Sequence, residues 1–542
     1  MTSFLQNILP FCFVLLAFGA FAQPDLPSEE VEVIKDFEAT LEETERIEVN
    51  PELPAQDTSS RNLTYDIPAK NIAVEYLPPK IRPIATKGDP IPPSYKAWLK
   101  LGYGIPASPY AELAYNHVKK DEFELGGQLR HHSANFKDRE NQRFSFTNVN
   151  GNGTYFFEEG YALTGNLGYT ADEIHFYGYD QEVTPYSRDD VRQQFNTFAA
   201  NAKFFNAEKT QGDLNYHAGV DFYTMEDNYA SRENGVLLDF GVTKWFGEVH
   251  PLTIGLTTDF TNFKDTATQT LNNFFLTPSF TYHGDQFKVK VGGRLTSHKD
   301  NFRFFPDVEA AVKILGNKLT AFAGWEGNLQ KNNFQNLSDF NPFMVSRFEL
   351  TNADYNDFFG GVRGTLKVFD YQAQIGLKQV NNLALFLNAP LVINPIDTLR
   401  FNVLYDSANV FYLKGTLTAR PYQGLEVLLT ISQNAYSLDN QDKAWHLPSL
   451  DFNLGASYKT LEDKLKLSAE LFIQDGVPYR DSNGETQELN ALVDLSLGGE
   501  YLIAENFGLF LQINNLLSNK RQRWNNYPTY GLNILGGLVA RF

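Results

Sequence analysis

Trp524 to Phe542 reads WNNYPTYGLNILGGLVARF. Its second half alternates. Tyr530, Leu532, Ile534, Leu538, Ala540 and Phe542 are apolar and share one parity; Asn533 and Arg541 take the other, with Gly536 and Gly537 between them. Alternation at period two marks a strand with one apolar and one polar face. In a soluble protein a final strand of this kind leaves an edge open to other chains. In a closed barrel it has a partner, because the last strand pairs with the first. The expected fold therefore depends on whether the rest of the chain supplies such a barrel.

Upstream, the same texture runs from Tyr95 onward. Phe287, Val289, Val291 and Leu295 alternate with Lys288, Lys290, Arg294 and Thr296. Leu214, Tyr216, Ala218, Val220 and Phe222 alternate with Asn215, His217, Gly219 and Asp221. Leu465 to Ile473, Leu425 to Ile431 and Phe507 to Ile513 repeat the pattern. Such runs match the roughly 9–11 residues of a tilted strand crossing hydrocarbon and exceed the usual strand of about 5–6 residues in soluble sheets.

The connections fall into two classes. Short ones are centred near 119–122, 157–160, 247–251, 284–286, 315–318, 368–371, 459–464 and 503–506. Long polar ones are ANFKDRENQR, YDQEVTPYSRDD, Gln330 to Thr351, Asn388 to Asn409, NAYSLDNQDKAWHLP and DGVPYRDSNGETQEL, with Gly104 to Ser108 as a short exception. Alternating short turns and long loops are the habit of membrane barrels, and counting strands between them gives about 22. A soluble propeller would show a repeat of about 40–50 residues, which is not found. The expectation is an all-β, antiparallel transmembrane barrel over residues 95–542.

The first 94 residues differ. Ile8 to Ala22 is apolar and ends in Ala20-Phe21-Ala22 before Gln23, so residues 1–22 read as a signal peptide cleaved between Ala22 and Gln23, although no Lys or Arg precedes the run. The single cysteine, Cys12, lies within it. Residues 23–50 are acidic and residues 51–94 are proline-rich (PELPAQ, YLPPKIRP, GDPIPPS), which favours extended chain over a packed core. Residues 23–94 are thus expected to form a periplasmic or pore-associated segment. No later run is long and apolar enough for a spanning helix, so any span must be built of strands.

Composition sets further bounds. The 542 residues carry a formal net charge of -19, which argues against a nucleic-acid partner. Mean hydropathy of -0.34 resembles that of a soluble protein, as expected when only alternate residues meet lipid. Aromatics are abundant at 14%, and Trp98, Tyr103, Tyr110, Trp245, Trp325 and Tyr501 near strand ends are candidates for interfacial girdles. Charges inside strands must avoid lipid, where an Arg or Lys costs about 2–4 kcal/mol at the midplane. That assigns Lys288, Lys290, Arg294, Glu326, Glu426, Lys466 and Glu470 to the lumen, with Asp221, Asp259 and Arg541. This mixture of signs implies weak ion selectivity.

Nothing in the sequence reads as a catalytic, metal or cofactor site. The 9 histidines are scattered, and His131 and His132, being adjacent on a strand, face opposite sides. An enzyme is not expected, and no cofactor is implied.

Ile513 to Phe542 resembles the end of a TonB-dependent receptor barrel: Asn514-Asn515-Leu516 in the penultimate strand, Tyr527-Pro528 with Gly531 as a hinge, and the closing alternation. The resemblance implies a 22-stranded barrel in an outer membrane and solute transport. It also marks Tyr530, Leu532, Ile534, Leu538, Ala540 and Phe542 as the signal read by the barrel-assembly machinery. The acidic, aromatic style resembles a Bacteroidota-type envelope. Receptors of this family carry a globular N-terminal plug of well over a hundred residues; residues 23–94 are too few and too proline-rich, so a barrel without the usual plug is expected. Glu30-Val31-Glu32-Val33-Ile34 faintly resembles a TonB box. Expected partners are outer-membrane lipid, the assembly machinery during biogenesis and a periplasmic or envelope protein docking on residues 23–94. The alternative to transport is a scaffold subunit of an envelope assembly. The lumen would be closed by residues 23–94, by inward-folded loops or by a partner.

Overall fold

The computed structural model describes residues 95–137, 139–298, 301–389 and 395–542. The expected signal segment with its Ala22/Gln23 cleavage site, residues 23–94 and the motif at Glu30 to Ile34 lie outside them. The strands run as β1 (Ala97–Ile105), β2 (Ser108–Lys119), β3 (Phe123–Asn135), β4 (Arg143–Phe156), β5 (Tyr161–His175), β6 (Arg192–Asn206) and β7 (Leu214–Asp227). Next come β8 (Arg232–Phe246), β9 (His250–Lys264), β10 (Thr268–His283), β11 (Phe287–His298), β12 (Asn301–Lys313) and β13 (Thr320–Asn332). A short helix, α1 (Phe334–Phe340), separates β13 from β14 (Thr351–Leu366), which leads to β15 (Phe369–Asn388), β16 (Phe401–Ala419), β17 (Leu425–Leu438), β18 (Leu450–Thr460) and β19 (Leu465–Asp475). The last are β20 (Val477–Arg480), β21 (Thr486–Leu489), β22 (Leu492–Ala504), β23 (Phe507–Asn514), β24 (Gln522–Trp524), β25 (Tyr527–Pro528) and β26 (Asn533–Arg541).

Twenty-two strands share one antiparallel sheet, while β20–β21 and β24–β25 are small hairpins within loops. The sheet closes on itself. β26 pairs with β23 on one side and with β1 on the other, in register from Trp98↔Arg541 to Ile105↔Ile534. The backbone N–H groups of Lys96 and Ala97 donate to the Phe542 carbonyl at 2.6 and 3.0 Å, finishing the seam. Closure gives the first and last strands each a partner, so neither is left as an open edge in hydrocarbon. The seam needs glycine, since a Cβ on Gly537 would lie 1.9 Å from the Leu101 carbonyl oxygen.

Parity then separates two faces. Leu101, Tyr103, Leu113, Leu125, Val291, Leu295, Leu509, Leu511, Ile534 and Leu538, which keep one parity on their strands, are exposed outward. The opposite face is the one on which distant elements meet. Arg363 of β14, for instance, reaches Glu309 of β12 at 3.4 Å across the inner side of the intervening β13. This is a transmembrane β-barrel, apolar outside and polar within.

One end, where β1 starts and β26 finishes, carries short links such as 120–122, 247–249, 284–286, 367–368 and 505–506. The other end carries the long loops 176–191, 333–350, 389–400, 439–449, 476–491 and 515–532. Three expectations change in detail. The stretch Asn388 to Asn409 is a loop only to residue 400, because Phe401 already pairs with Asn388. Trp98, Tyr110 and Trp245 share the lumen parity and do not belong to an outer girdle: Tyr110 lies opposite Gly102 and bonds Glu112, and the Trp245 indole donates to Asn215 at 2.8 Å. Finally, the closing strand begins at Asn533, so Tyr530 lies outside it, in the loop-end assembly, where it stacks on Phe136 at 4.5 Å. The inward parity of β26 also carries Leu535 and Val539, both buried against Tyr110 and Phe510.

Candidate functional site

The inner wall and the loops folded over its mouth form the candidate site. The expected lumen charges share the inner parity but fall into separate groups. Lys290 pairs with Asp307 at 2.6 Å, and Arg294 reaches the same carboxylate at 3.5 Å and donates to the Gly327 carbonyl at 2.8 Å. Lys288 lies below them on the same face. Glu326 stands opposite Asp307 on one side and Asp357 on the other; Asp357 is opposite Lys378, whose ammonium sits 3.8 Å from the Tyr355 ring centre. Around the seam, Lys466 lies opposite Glu500, which accepts from Arg541 at 2.6 Å. Glu470 accepts from the Asn453 amide at 2.7 Å, and Glu426 from Arg420 at 2.8 Å near the turn end. Between these groups the wall from β15 to β23 is hydroxyl- and amide-rich. A hollow of about 430 Å³ is lined by Gln372, Gln374, Lys414, Thr416, Thr430, Ser432, Asp451, Asn453 and Phe472. A second, of about 380 Å³, is lined by Ser457, Ser468, Glu470, Ser496 and Gln512.

Above this wall the long loops turn inward and share a core. Phe176 and Tyr177 from loop 176–191, Phe334, Leu337, Phe343, Met344 and Phe348 from loop 333–350, Leu399 from loop 389–400, and Trp524 and Tyr527 from loop 515–532 pack as one buried cluster with strand-end residues such as Phe195, Phe263 and Phe386. Phe343 and Tyr527 stack with ring centres 3.9 Å apart. The hydroxyl of Tyr177 donates to the Pro528 carbonyl at 3.0 Å, and that of Tyr527 to the Leu399 carbonyl. Burial pushes the phenols of Tyr177 and Tyr527 upward, so they serve as neutral donors. These contacts join loops from opposite sides of the ring into a lid.

Acidic groups on the wall hold the lid in place. Glu233 accepts from the backbone N–H of Phe334 at 2.7 Å and of Gln335 at 3.2 Å, from the Asn333 amide at 2.8 Å and from the Tyr223 hydroxyl at 2.9 Å. A carboxylate at the start of α1 satisfies N–H groups that the helix cannot pair internally and complements its dipole. Asp227 accepts from the Ser346 hydroxyl, and Asp259 takes Lys331. Gln269 brackets the chain by donating to the Phe348 carbonyl and accepting from Leu350 N–H, each at 2.9 Å. From loop 389–400, Arg400 is 4% exposed, donates to Gln193 at 2.9 Å and lies 4.2 and 5.2 Å from the ring centres of Tyr229 and Phe176. His446 in loop 439–449 is fully buried, and burial pushes it down to about 4, so it is neutral. Its Nδ1–H donates to the Phe386 carbonyl at 2.7 Å, while Nε2 accepts from Asn525 N–H at 3.4 Å.

Inward-folded loops are one of the three closures the sequence leaves open, but the residues that form the lid are not among the expected sites. The available signal was the aromatic content of FQNLSDFNPFMVSRF, which is too apolar for a loop exposed to water. Asp307, Asp357, Lys378 and Glu500 were equally open to the parity rule. Among the described residues no group of three or more His, Cys, Asp or Glu is arranged to hold a metal.

No protein-family model and no curated protein matches the chain. Solved structures do. The FrpB iron transporter from Neisseria meningitidis is similar with a TM-score of 0.65 and 9% identity, over 83% of this chain and 82% of that one. The ferric-catecholate import receptor Fiu from E. coli K12 gives 0.62 and 10% over the same shares. The ferripyoverdine receptor of the outer membrane of Pseudomonas aeruginosa gives 0.59 and 13%, over 83% and 72%. At these identities the likeness is one of fold: the chain has the 22-stranded barrel of TonB-dependent receptors.

Proposed function

We propose that this chain is an outer-membrane transport barrel that passes a polar solute along its inner wall and is closed toward the exterior by its own loops. The observation that carries this reading is the aromatic lid lying over a wall lined by hydroxyls, amides and charges of both signs. A scaffold needs a stable rim, but it has no use for a polar interior beneath a removable cover. The receptors of similar fold are transporters of iron and ferric chelates, so ferric siderophores are the first solutes to test. In this reading the short-turn end, where β1 starts, faces the periplasm. The acidic and proline-rich residues 23–94 are proposed to act where the usual plug would, or to engage an envelope protein. The alternation at 30–34 is short enough to arise by chance, so energy coupling is not part of the proposal. Signal-directed export, the assembly machinery reading the final strand, and a Bacteroidota-type envelope belong to the same reading, which assigns no catalytic role.

Reconstitution in planar bilayers tests it. The full mature chain should conduct weakly, deletion of 335–347 should raise conductance, and separate removal of residues 23–94 reports whether that segment also occludes. If neither deletion nor both together open the barrel, and the chain co-purifies stoichiometrically with envelope proteins, transport is wrong and the scaffold alternative holds.

A further inference from the structure

Between β12 and β13 the ladder stops short toward the loop end. β12 pairs with β11 along its whole length, from Asn301 to Val312, but with β13 only from Asp307 to Lys313. Above Glu326, β13 leaves β12 and leans inward with β14, its remaining partner, so no ladder joins residues 302–306 to β13. In an antiparallel sheet every second residue points its N–H and C=O at a given neighbour; Lys313 N–H is directed at β11, so Phe302, Phe304 and Pro306 turn toward the position β13 has left, and of these only Pro306 has no N–H to leave unpaired. Such an edge is costly beside lipid, where no water satisfies it.

The sequence of β13 is written for the wall all the same. Ala321, Ala323, Trp325, Gly327 and Leu329 keep the outer parity, and Lys331 follows where an outer ladder reaches the interface; Glu326, Asn328 and Gln330 keep the inner one. Yet Leu329 is 8% exposed, whereas Phe304, the residue it would face, is 66% exposed. Continuing the observed Asp307↔Glu326 register by steps of one gives Phe305↔Asn328, Phe304↔Leu329 and Phe302↔Lys331.

From this we infer that the β13–β14 hairpin is a gate with two positions. In the position seen, Lys331 is held by Asp259 and the lid is down. In the other, residues 327–332 zip onto 301–306 in the register above, Leu329 turns out to lipid beside Phe304, Lys331 leaves Asp259 for the membrane interface, and α1 is drawn off the mouth. The edge on β12 is then satisfied by the chain's own strand. The movement does not depend on the transport reading; only its consequence does.

Cysteine pairs test it in the full chain, whose only cysteine is Cys12. Phe304→Cys with Leu329→Cys, and separately Phe302→Cys with Lys331→Cys, face one another only when zipped, at Cα separations of about 5.5 Å that a disulfide spans. Gln269→Cys with Leu350→Cys traps the observed position. Expected are cross-linking of at least one zipped pair by mild oxidant in membranes, and loss of that cross-link when the Gln269/Leu350 pair is oxidised first. Absence of both zipped cross-links, with heat-modifiable mobility showing the variants folded and the Gln269/Leu350 pair closing fully, overturns the gate. Zipped cross-linking without a rise in conductance keeps the gate and overturns transport.

Discussion

Acidification should loosen the lid through His446. Its ring is enclosed by Phe401, 4.9 Å away edge-on, and by Trp524, stacked at 5.4 Å. Both nitrogens are committed in the neutral tautomer, Nδ1–H to the Phe386 carbonyl and Nε2 to Asn525 N–H. Desolvation is the largest cause of its lowered pKa; the Phe386 hydrogen bond opposes it, and Arg523 adds to it. With a folded value of about 4 against the ordinary 6.5 of a free imidazole, the released loop binds the proton more tightly than the packed one. The stabilisation from keeping this ring neutral is therefore fully present above pH 6.5 and is lost as pH falls toward 4. At one pKa unit per 1.36 kcal/mol, the full window is worth about 3 kcal/mol, and between pH 8 and pH 5 the loss is about 2 kcal/mol, a roughly 30-fold rise in opening. Hydrogen exchange of residues 439–449 and 515–532 at the two pH values, corrected for intrinsic rates, measures it. A His446→Gln chain should show a flat profile over the same interval. An equal acid response in both chains, or none in the parent, would refute the assignment to His446.

Two further outcomes separate lid from wall. Arg400→Ala removes a buried guanidinium from between Tyr229 and Phe176 and leaves the buried Gln193 without its donor, a loss worth about 1–3 kcal/mol. Proteinase K should then cut within loop 389–400 far faster, while heat-modifiable gel mobility of the barrel stays unchanged. Val291→Arg places a charge on the outer face at mid-strand, whereas Thr430→Arg places one on the hollow wall. The first should lower stability in vesicles by about 2–4 kcal/mol, read from denaturant midpoints, and the second by well under 1 kcal/mol.

The wall was largely legible in the sequence because lipid imposes a rule on each strand separately: Val291 and Leu295 go out, so Lys290 and Arg294 must go in, whatever their neighbours are. The short-turn end was legible for a similar reason, since polar clusters such as Glu158-Glu159-Gly160 interrupt the alternation. At the loop end, the tight links 228–231 and 265–267 carry no signal of length and were passed over. Tyr530 and Leu532 keep the parity of Ile534 although both precede the closing strand, so alternation by itself does not mark where the wall begins. Which charges meet was not legible. The row Asp307, Glu326, Asp357, Lys378 is produced by the offset between four strands, and local spacing holds no record of that offset. The lid was hidden most deeply, because its core joins residues from 176 to 527 that share no period.

The lid's two kinds of attachment differ in what opening does to them. Its wall anchors on β7, β8 and β9 are carboxylates, Asp227, Glu233 and Asp259, each buried and each satisfied by donors from loop 333–350 or from Lys331. When the loop leaves, these groups face an aqueous lumen, and water replaces the lost donors at small net cost. The aromatic cluster has no such replacement, since every ring uncovered is apolar surface returned to water at roughly 25 cal/mol per Å². Cohesion of the closed mouth thus resides in Phe334, Phe343, Phe348, Trp524 and Tyr527, while the acidic sector fixes where the loop sits. That division explains why an acidic chain spends so many aromatic residues away from the membrane: the rings that face lipid hold the barrel in the bilayer, and those gathered over the lumen hold it shut.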